Sequence, residues 1–247
     1  MAIERGLTLL TTRIITISRH QQEEIAACIY AKRKIEVIRL GFDLPKFLRP
    51  YDKEAARKRL GLPSGKQIIG CVGRLTAVKN LALFVEVAET LSRRREDVLF
   101  VIVGDGSERE ILERIVRDKG LQDRVLFLGW QTEIETVYKA IDLLLLTSKN
   151  EGTPVAVIEA MASGCPVVAA PAGGVVDIIE HGVTGLLAGP EDSGDFVKKV
   201  EQILERPEFR QRLTEEAWKF VTSHYDLSRL LDDMSRLYIE LRAPKGH

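Results

Sequence analysis

Two acids and two cations are the residues of this chain whose types and spacing suit chemistry. Glu151 and Glu159 stand eight residues apart in Ser148-Lys-Asn-Glu151-Gly-Thr-Pro-Val-Ala-Val-Ile-Glu159, directly after the apolar run 143–146. That run reads as a short buried strand, Gly152 as the turn residue and Pro154 as a first helical position. Glu151 is then at a helix mouth and Glu159 inside the helix. At helical rise the two carboxylates are about 12 Å apart along the axis, the scale of a ligand with hydroxyls at both ends and a charged middle. A nucleotide sugar has that form. Glu159 is flanked by Ile158, Ala160 and Met161, so it is partly buried and needs a partner such as ribose hydroxyls; the alternative is a solvated carboxylate on the helix surface. For Glu151 the alternative is a simple contact with the helix dipole.

The cations lie in Gly70-Cys-Val-Gly73-Arg74-Leu-Thr-Ala-Val-Lys79-Asn80, a loop that leaves one strand and feeds the next helix. There both can reach one anion, with amide donors from the helix start. Ligands of open parallel sheets bind beyond the carboxyl ends of the strands, and this loop is at such an end. The competing possibility is a pair of solvated loop charges. Gly104-Asp-Gly106 and Gly129-Trp130 close two further strands, as functional loops supplying backbone contacts or as plain turns. Gly173-Gly174 admits a ligand backbone contact or makes a tight turn.

From residue 66 onward, apolar runs of four to six alternate with amphipathic segments of ten or more, the pattern of a parallel sheet with crossover helices. Six strands are expected, at 67–72, 98–103, 125–128, 143–147, 166–170 and 185–188. Ser107 with Glu110 and Thr132 with Glu135 read as capping boxes, and Gly120 and Gly164 as helix terminators. Beyond Pro190 the chain turns helical, at 195–205, 207–223 and 227–241. Ahead of the sheet, 11–17, 21–31 and 35–40 make a strand, a helix and a strand that cannot form a sheet alone. Residues 41–45 with Arg49-Pro50 read as a linker.

Composition restricts the rest. The 247 residues are 45% hydrophobic, enough for a large core. Lysine plus arginine, 36, equals aspartate plus glutamate, 36, so no global field favours nucleic acid. Contact with a membrane surface stays open. Three scattered cysteines read as reduced core thiols of a cytoplasmic protein, and neither a spanning segment nor a signal peptide is evident. Sharper motifs fail. Gly70-x-x-Gly73 is not a dinucleotide fingerprint, and residues 61–66 fall one short of a phosphate loop and precede a strand. The four histidines lack ligand spacing and no Asp-x-Asp offers a magnesium site. Neither a metal nor a cofactor is expected, so protein cations must stabilise any departing diphosphate.

As an ordered set these residues resemble the retaining glycosyltransferases of the GT-B fold, family 4. The resemblance is carried by Gly73-Arg74-Leu75 with Lys79-Asn80, Val103-Gly-Asp-Gly106, Phe127-Leu-Gly-Trp130, the E-x7-E run, Gly164-Cys-Pro-Val-Val168, Gly173-Gly174 and Gly182-Val-Thr-Gly-Leu-Leu187. It implies a Rossmann-like α/β domain, with a parallel sheet and flanking helices, that binds a nucleotide-diphosphate sugar. It places Arg74 and Lys79 on the diphosphate and Glu159 on the ribose. Glu151 and the backbone of Gly152, Thr153, Pro154 and Val155 fall near the transferred sugar; Gly73 and Gly104 belong to the donor site, and the Gly129-Trp130 loop holds the base. Retention without a metal, in a hexosyltransferase of polysaccharide or glycolipid synthesis, is likewise implied.

The same resemblance divides the chain into a remnant of an acceptor domain (1–42), a linker and entry helix (43–65), the donor domain (66–225), and a crossover helix with tail (226–247). The expected protein is therefore the donor-binding part of a glycosyltransferase, inactive alone and completed by an N-terminal domain or a partner chain. The rival is a non-catalytic nucleotide-sugar-binding module or one subunit of a split enzyme. Asp177 departs from the glutamate that many relatives carry after the double glycine.

Overall fold

The computed structural model describes residues 10–28, 32–48 and 51–242. The end of the expected 21–31 helix, the Arg49-Pro50 part of the linker and the first nine residues lie outside these.

The main sheet has six strands: β3 (Gln67–Val72), β4 (Val98–Val103), β5 (Val125–Gly129), β6 (Leu143–Leu146), β7 (Val167–Ala169) and β8 (Leu186–Leu187). Their order is β5-β4-β3-β6-β7-β8, and every pairing is parallel. Parallel strands need crossovers that cover both faces, which is why Val98–Val103 and Leu143–Leu146 are apolar and buried throughout. The chain winds outward from β3 to β5, then returns to the other side of β3 to lay down β6. The topological switch therefore falls between β3 and β6, the place where open parallel sheets form a ligand crevice at their carboxyl edge.

The helix Leu81–Arg94 shows how a crossover is fixed. Leu81, Phe84, Val85, Ala88 and Leu91 fall on one buried face, and Phe84 meets Phe100 of β4 edge-on at 5.6 Å. Gly120 and Gly164 end their helices with φ of +66° and +69°, as their type suggested. The two expected capping boxes do not form. The helices begin later, at Arg109 and Ile134, and neither has a side-chain cap bond.

Ahead of the sheet, β1 (Ile14–Thr16) pairs in parallel with β2 (Ile35–Val37), both shorter than expected, with the helix Arg19–Cys28 between them. Ser18 caps that helix by accepting from the Gln21 amide at 3.1 Å. Asp177 of the main body accepts from the His20 amide at 3.0 Å. The unusual acid at 177 thus fastens the small sheet's helix to the turn Gly173–Asp177.

At the far end of the chain, the helix Leu227–Arg242 buries Leu237 and exposes Leu231, Tyr238 and Ile239. It is tied back to residues 39–42. The Leu227 amide donates to the Phe42 carbonyl at 3.1 Å, and the Arg229 guanidinium donates to the carbonyls of Arg39 and Leu40. Cys71 and Cys165 are buried free thiols, and burial pushes both up to about 12; Cys28 is half-buried.

Candidate functional site

The loop after β3 is shaped by its neighbour. The Gly104 amide donates to the Gly129 carbonyl at 2.8 Å, and a Cβ on Gly104 would stand 2.0 Å from the Gly73 carbonyl oxygen. Only glycine lets the two loops close. The Leu75 amide donates to Asp105 and the Leu75 carbonyl accepts from Glu108, both at 2.9 Å. Residues 73–75 are thereby held by backbone bonds, independent of side-chain choice.

Beyond them the 3-10 turn Ala77–Lys79 swings Lys79 toward the loop after β6. Thr147 donates its hydroxyl to the carbonyls of Lys79 and Asn80 at 3.1 Å, and the Lys149 amide donates to Val78 at 2.8 Å. With the two loops sewn together, Lys79 Nζ lies 2.6 Å from Glu151 Oε1, which also accepts from Ser148 Oγ at 2.6 Å. The lysine and glutamate side chains are only 21% and 10% exposed, so this pair is far better shielded from water and salt than a surface pair. The helix-dipole account of Glu151 gives way to an ion pair.

Gly173-Gly174 supports that glutamate from below. The Gly174 amide donates to the Glu151 carbonyl at 2.8 Å, and a Cβ on Gly174 would lie 1.8 Å from the Gly152 carbonyl oxygen. Gly174→Ala must displace the 151–152 backbone. We expect a loss of about 1–3 kcal/mol in a urea titration, whereas Gly152→Ala, whose Cβ meets nothing within 4 Å, leaves stability unchanged. Equal stability of the two variants would remove the buttress.

Glu159 sits within the helix Val155–Ala162, and the Tyr138 hydroxyl donates to its Oε2 at 3.0 Å. Burial holds the Glu159 carboxyl above the usual carboxylate range; the Tyr138 bond and the Lys46 charge oppose this, and Glu135 adds to it. Tyr138 was not among the residues picked from the sequence. Its signal was there: a tyrosine on the apolar face of a short helix must find a partner for its hydroxyl.

Among the cavities at this edge, two include Glu159 in their walls. One, of about 540 Å³, is lined by Arg74, Gly104, Trp130, Gln131, Thr132 and Glu159, together with Val72 and Gly73. The other, of about 240 Å³, is lined by Lys79, Tyr138, Glu151, Thr153, Pro154, Val155 and Glu159, again with Val72 and Gly73. They meet along Val72, Gly73 and Glu159. Arg74 and Lys79 thus each border one of these adjacent hollows, and both also line a small cavity of about 10 Å³ between the loops after β3 and β6, with Gly73, Thr147 and Ser148. Arg74 is exposed and, among the described residues, has no acidic partner. Trp130 is 73% exposed, which excludes a core-packing role and leaves it as cavity wall.

Other expectations need correction. Pro154 precedes the first helical residue, Val155, with φ −75° and ψ 84°. The turn at Gly152 does not use a left-handed backbone, so glycine is not required there by conformation. Gly129 and Gly152 line neither cavity. The Thr153 hydroxyl is buried without a hydrogen-bond partner. Among the described residues there is no group of three or more His, Cys, Asp or Glu that could hold a metal, and no helix is long and apolar enough to cross a membrane.

The parallel sheet flanked by helices matches the fold of GT-B glycosyltransferase structures. The chain belongs to the glycosyl transferases group 1 family, whose model matches residues 52–220. It is 33% identical over 211 residues to the alpha-D-kanosaminyltransferase of Streptomyces kanamyceticus, covering 83% of this chain and 54% of that protein. It is 32% identical over 237 residues to the D-inositol 3-phosphate glycosyltransferase of Mycolicibacterium smegmatis, covering 94% and 54%. The chain thus spans about half the length of these relatives. Anabaena HepE in complex with UDP superposes with a TM-score of 0.85 at 26% identity, over 93% of this chain and 64% of that one.

Proposed function

We propose that this chain is the donor-binding part of a retaining, metal-independent glycosyltransferase of family 4, using a nucleotide-diphosphate sugar. One observation carries it: two cavities, each with its own cation, join at Gly73 and Glu159. In this arrangement the larger hollow takes the nucleoside, its base along Trp130 and its ribose against Glu159. The diphosphate lies beside Gly73 between Arg74 and Lys79. The smaller hollow takes the sugar, against Glu151 and the 153–155 segment. Transfer leaves negative charge on the departing diphosphate, and fixed cations lower the barrier by stabilising that charge. The UDP complexes of HepE support the choice of donor; retention rests on the family resemblance.

The test is a thermal-shift screen with UDP-, GDP- and ADP-sugars. A donor at a hundred times its Kd stabilises the folded chain by about 2.7 kcal/mol, and at this size each kcal/mol moves Tm by roughly 2–4 °C. We expect such a rise with at least one of the three nucleotides. No shift with any of them at millimolar concentration would remove the donor site.

A further inference from the structure

We infer that Tyr138 is a positioning residue, one that aims Glu159 at the ribose hydroxyls of the donor; the inference rests on the donor site proposed above. Tyr138 is fully buried in the helix Ile134–Ala140, and its ring meets Phe47 edge-on at 6.1 Å. The ring is therefore confined, which fixes its hydroxyl, and the residue borders the smaller cavity. From that point it donates to Oε2 of Glu159 at 3.0 Å, across to the neighbouring helix.

A glutamate side chain has three rotatable bonds, and holding it in one arrangement costs entropy that a preformed contact removes before the ligand arrives. An ionised carboxylate offers about four lone-pair sites. Tyr138 occupies one of them on Oε2, and no described residue donates to Oε1, so the outer lone pairs stay available to a vicinal diol. Glu159 lines both cavities, at the place where a ribose joins base to diphosphate. The competing account is that Tyr138 only fills the core and uses Glu159 to satisfy a buried hydroxyl. The two accounts differ in whether removing the hydroxyl acts through the ribose.

The experiment is calorimetric binding to the intact chain of UDP and of 2′,3′-dideoxy-UDP, or the GDP or ADP pair if the thermal screen selects that base. The variants are Tyr138→Phe, Glu159→Ala and the double substitution. The expected result is that Tyr138→Phe weakens the ribonucleotide by roughly threefold to tenfold, the range of one net hydrogen bond, and leaves the dideoxy compound unchanged. In the Glu159→Ala background the same substitution should have no effect, because coupled residues are not additive.

Equal weakening of both nucleotides, or an effect that persists without Glu159, would overturn the assignment. Wild-type binding that ignores the ribose hydroxyls would overturn it through Glu159 instead, leaving the donor site intact. Wild-type binding of neither compound would remove the donor site itself. If Tyr138→Phe does not fold, Glu159→Asp draws the carboxylate back from the hydroxyl while leaving the ring in place. Undiminished discrimination in that variant would equally defeat the proposal.

Discussion

Lys79→Ala lowers the rate of sugar transfer by roughly a hundredfold to a thousandfold at saturating donor, the loss typical of removing one fixed donor to developing charge. The assay uses this chain fused to a complete acceptor-binding domain of a group 1 relative, with initial rates as the readout. The lysine is held before any ligand arrives, 2.6 Å from Glu151, so its charge needs no reorganisation during the reaction. Removing it also leaves Glu151 with Ser148 alone, and part of any loss could come from a stranded carboxylate. The double variant Lys79→Ala/Glu151→Gln separates the two effects. Relief of a stranded acid would bring the rate back toward that of Glu151→Gln; loss of a cation on the diphosphate would not. A single variant within threefold of the unmodified enzyme would end the role assigned to Lys79.

Asp142→Ala destabilises the chain by about 3–5 kcal/mol, the scale of breaking a buried ion pair by removing one partner. Asp142 is nine-tenths buried at the opposite edge of the sheet. It accepts from Arg57 Nη2 at 2.6 Å, from Lys53 Nζ at 2.7 Å and from the Ile68 amide at 2.7 Å. Arg57 also donates Nε to the Ala140 carbonyl at 3.0 Å. One carboxylate therefore pins the helix Lys53–Arg59 to the starts of β3 and β6. Without it a buried guanidinium keeps the neutral Ala140 carbonyl and, as acidic partner, only Glu54, a solvent-exposed acid 3.5 Å away. Urea unfolding gives the measurement. A change below 1 kcal/mol would show that the network is not holding the sheet's base together.

The strands were legible wherever burial on both faces wrote them as continuous apolar runs. β3 and β4 fall at the expected residues, and β7 is shorter at both ends, losing Pro166, which has no amide to donate. Caps were not legible. The Glu108 amide is taken by the Leu75 carbonyl, a tertiary bond that moves the helix start past Ser107 and leaves that side chain without its expected task. The Lys79–Glu151 pair joins residues 72 positions apart. What brings them together is the placement of β6 beside β3, and no local periodicity encodes strand order. The partner of Lys79 was hidden for a related reason: the 3-10 turn Ala77–Lys79 turns the lysine toward the loop after β6, and its sequence alone does not say so.

The narrow seam between the two hollows has a consequence for how such a protein diversifies. Only Val72, Gly73 and Glu159 belong to both walls. On the proposed assignment, substitutions at 130–132 retune the choice of base and substitutions at 153–155 retune the choice of sugar, with little cross-talk. Two selectivities in one fold can then drift separately, like two dials on a common shaft.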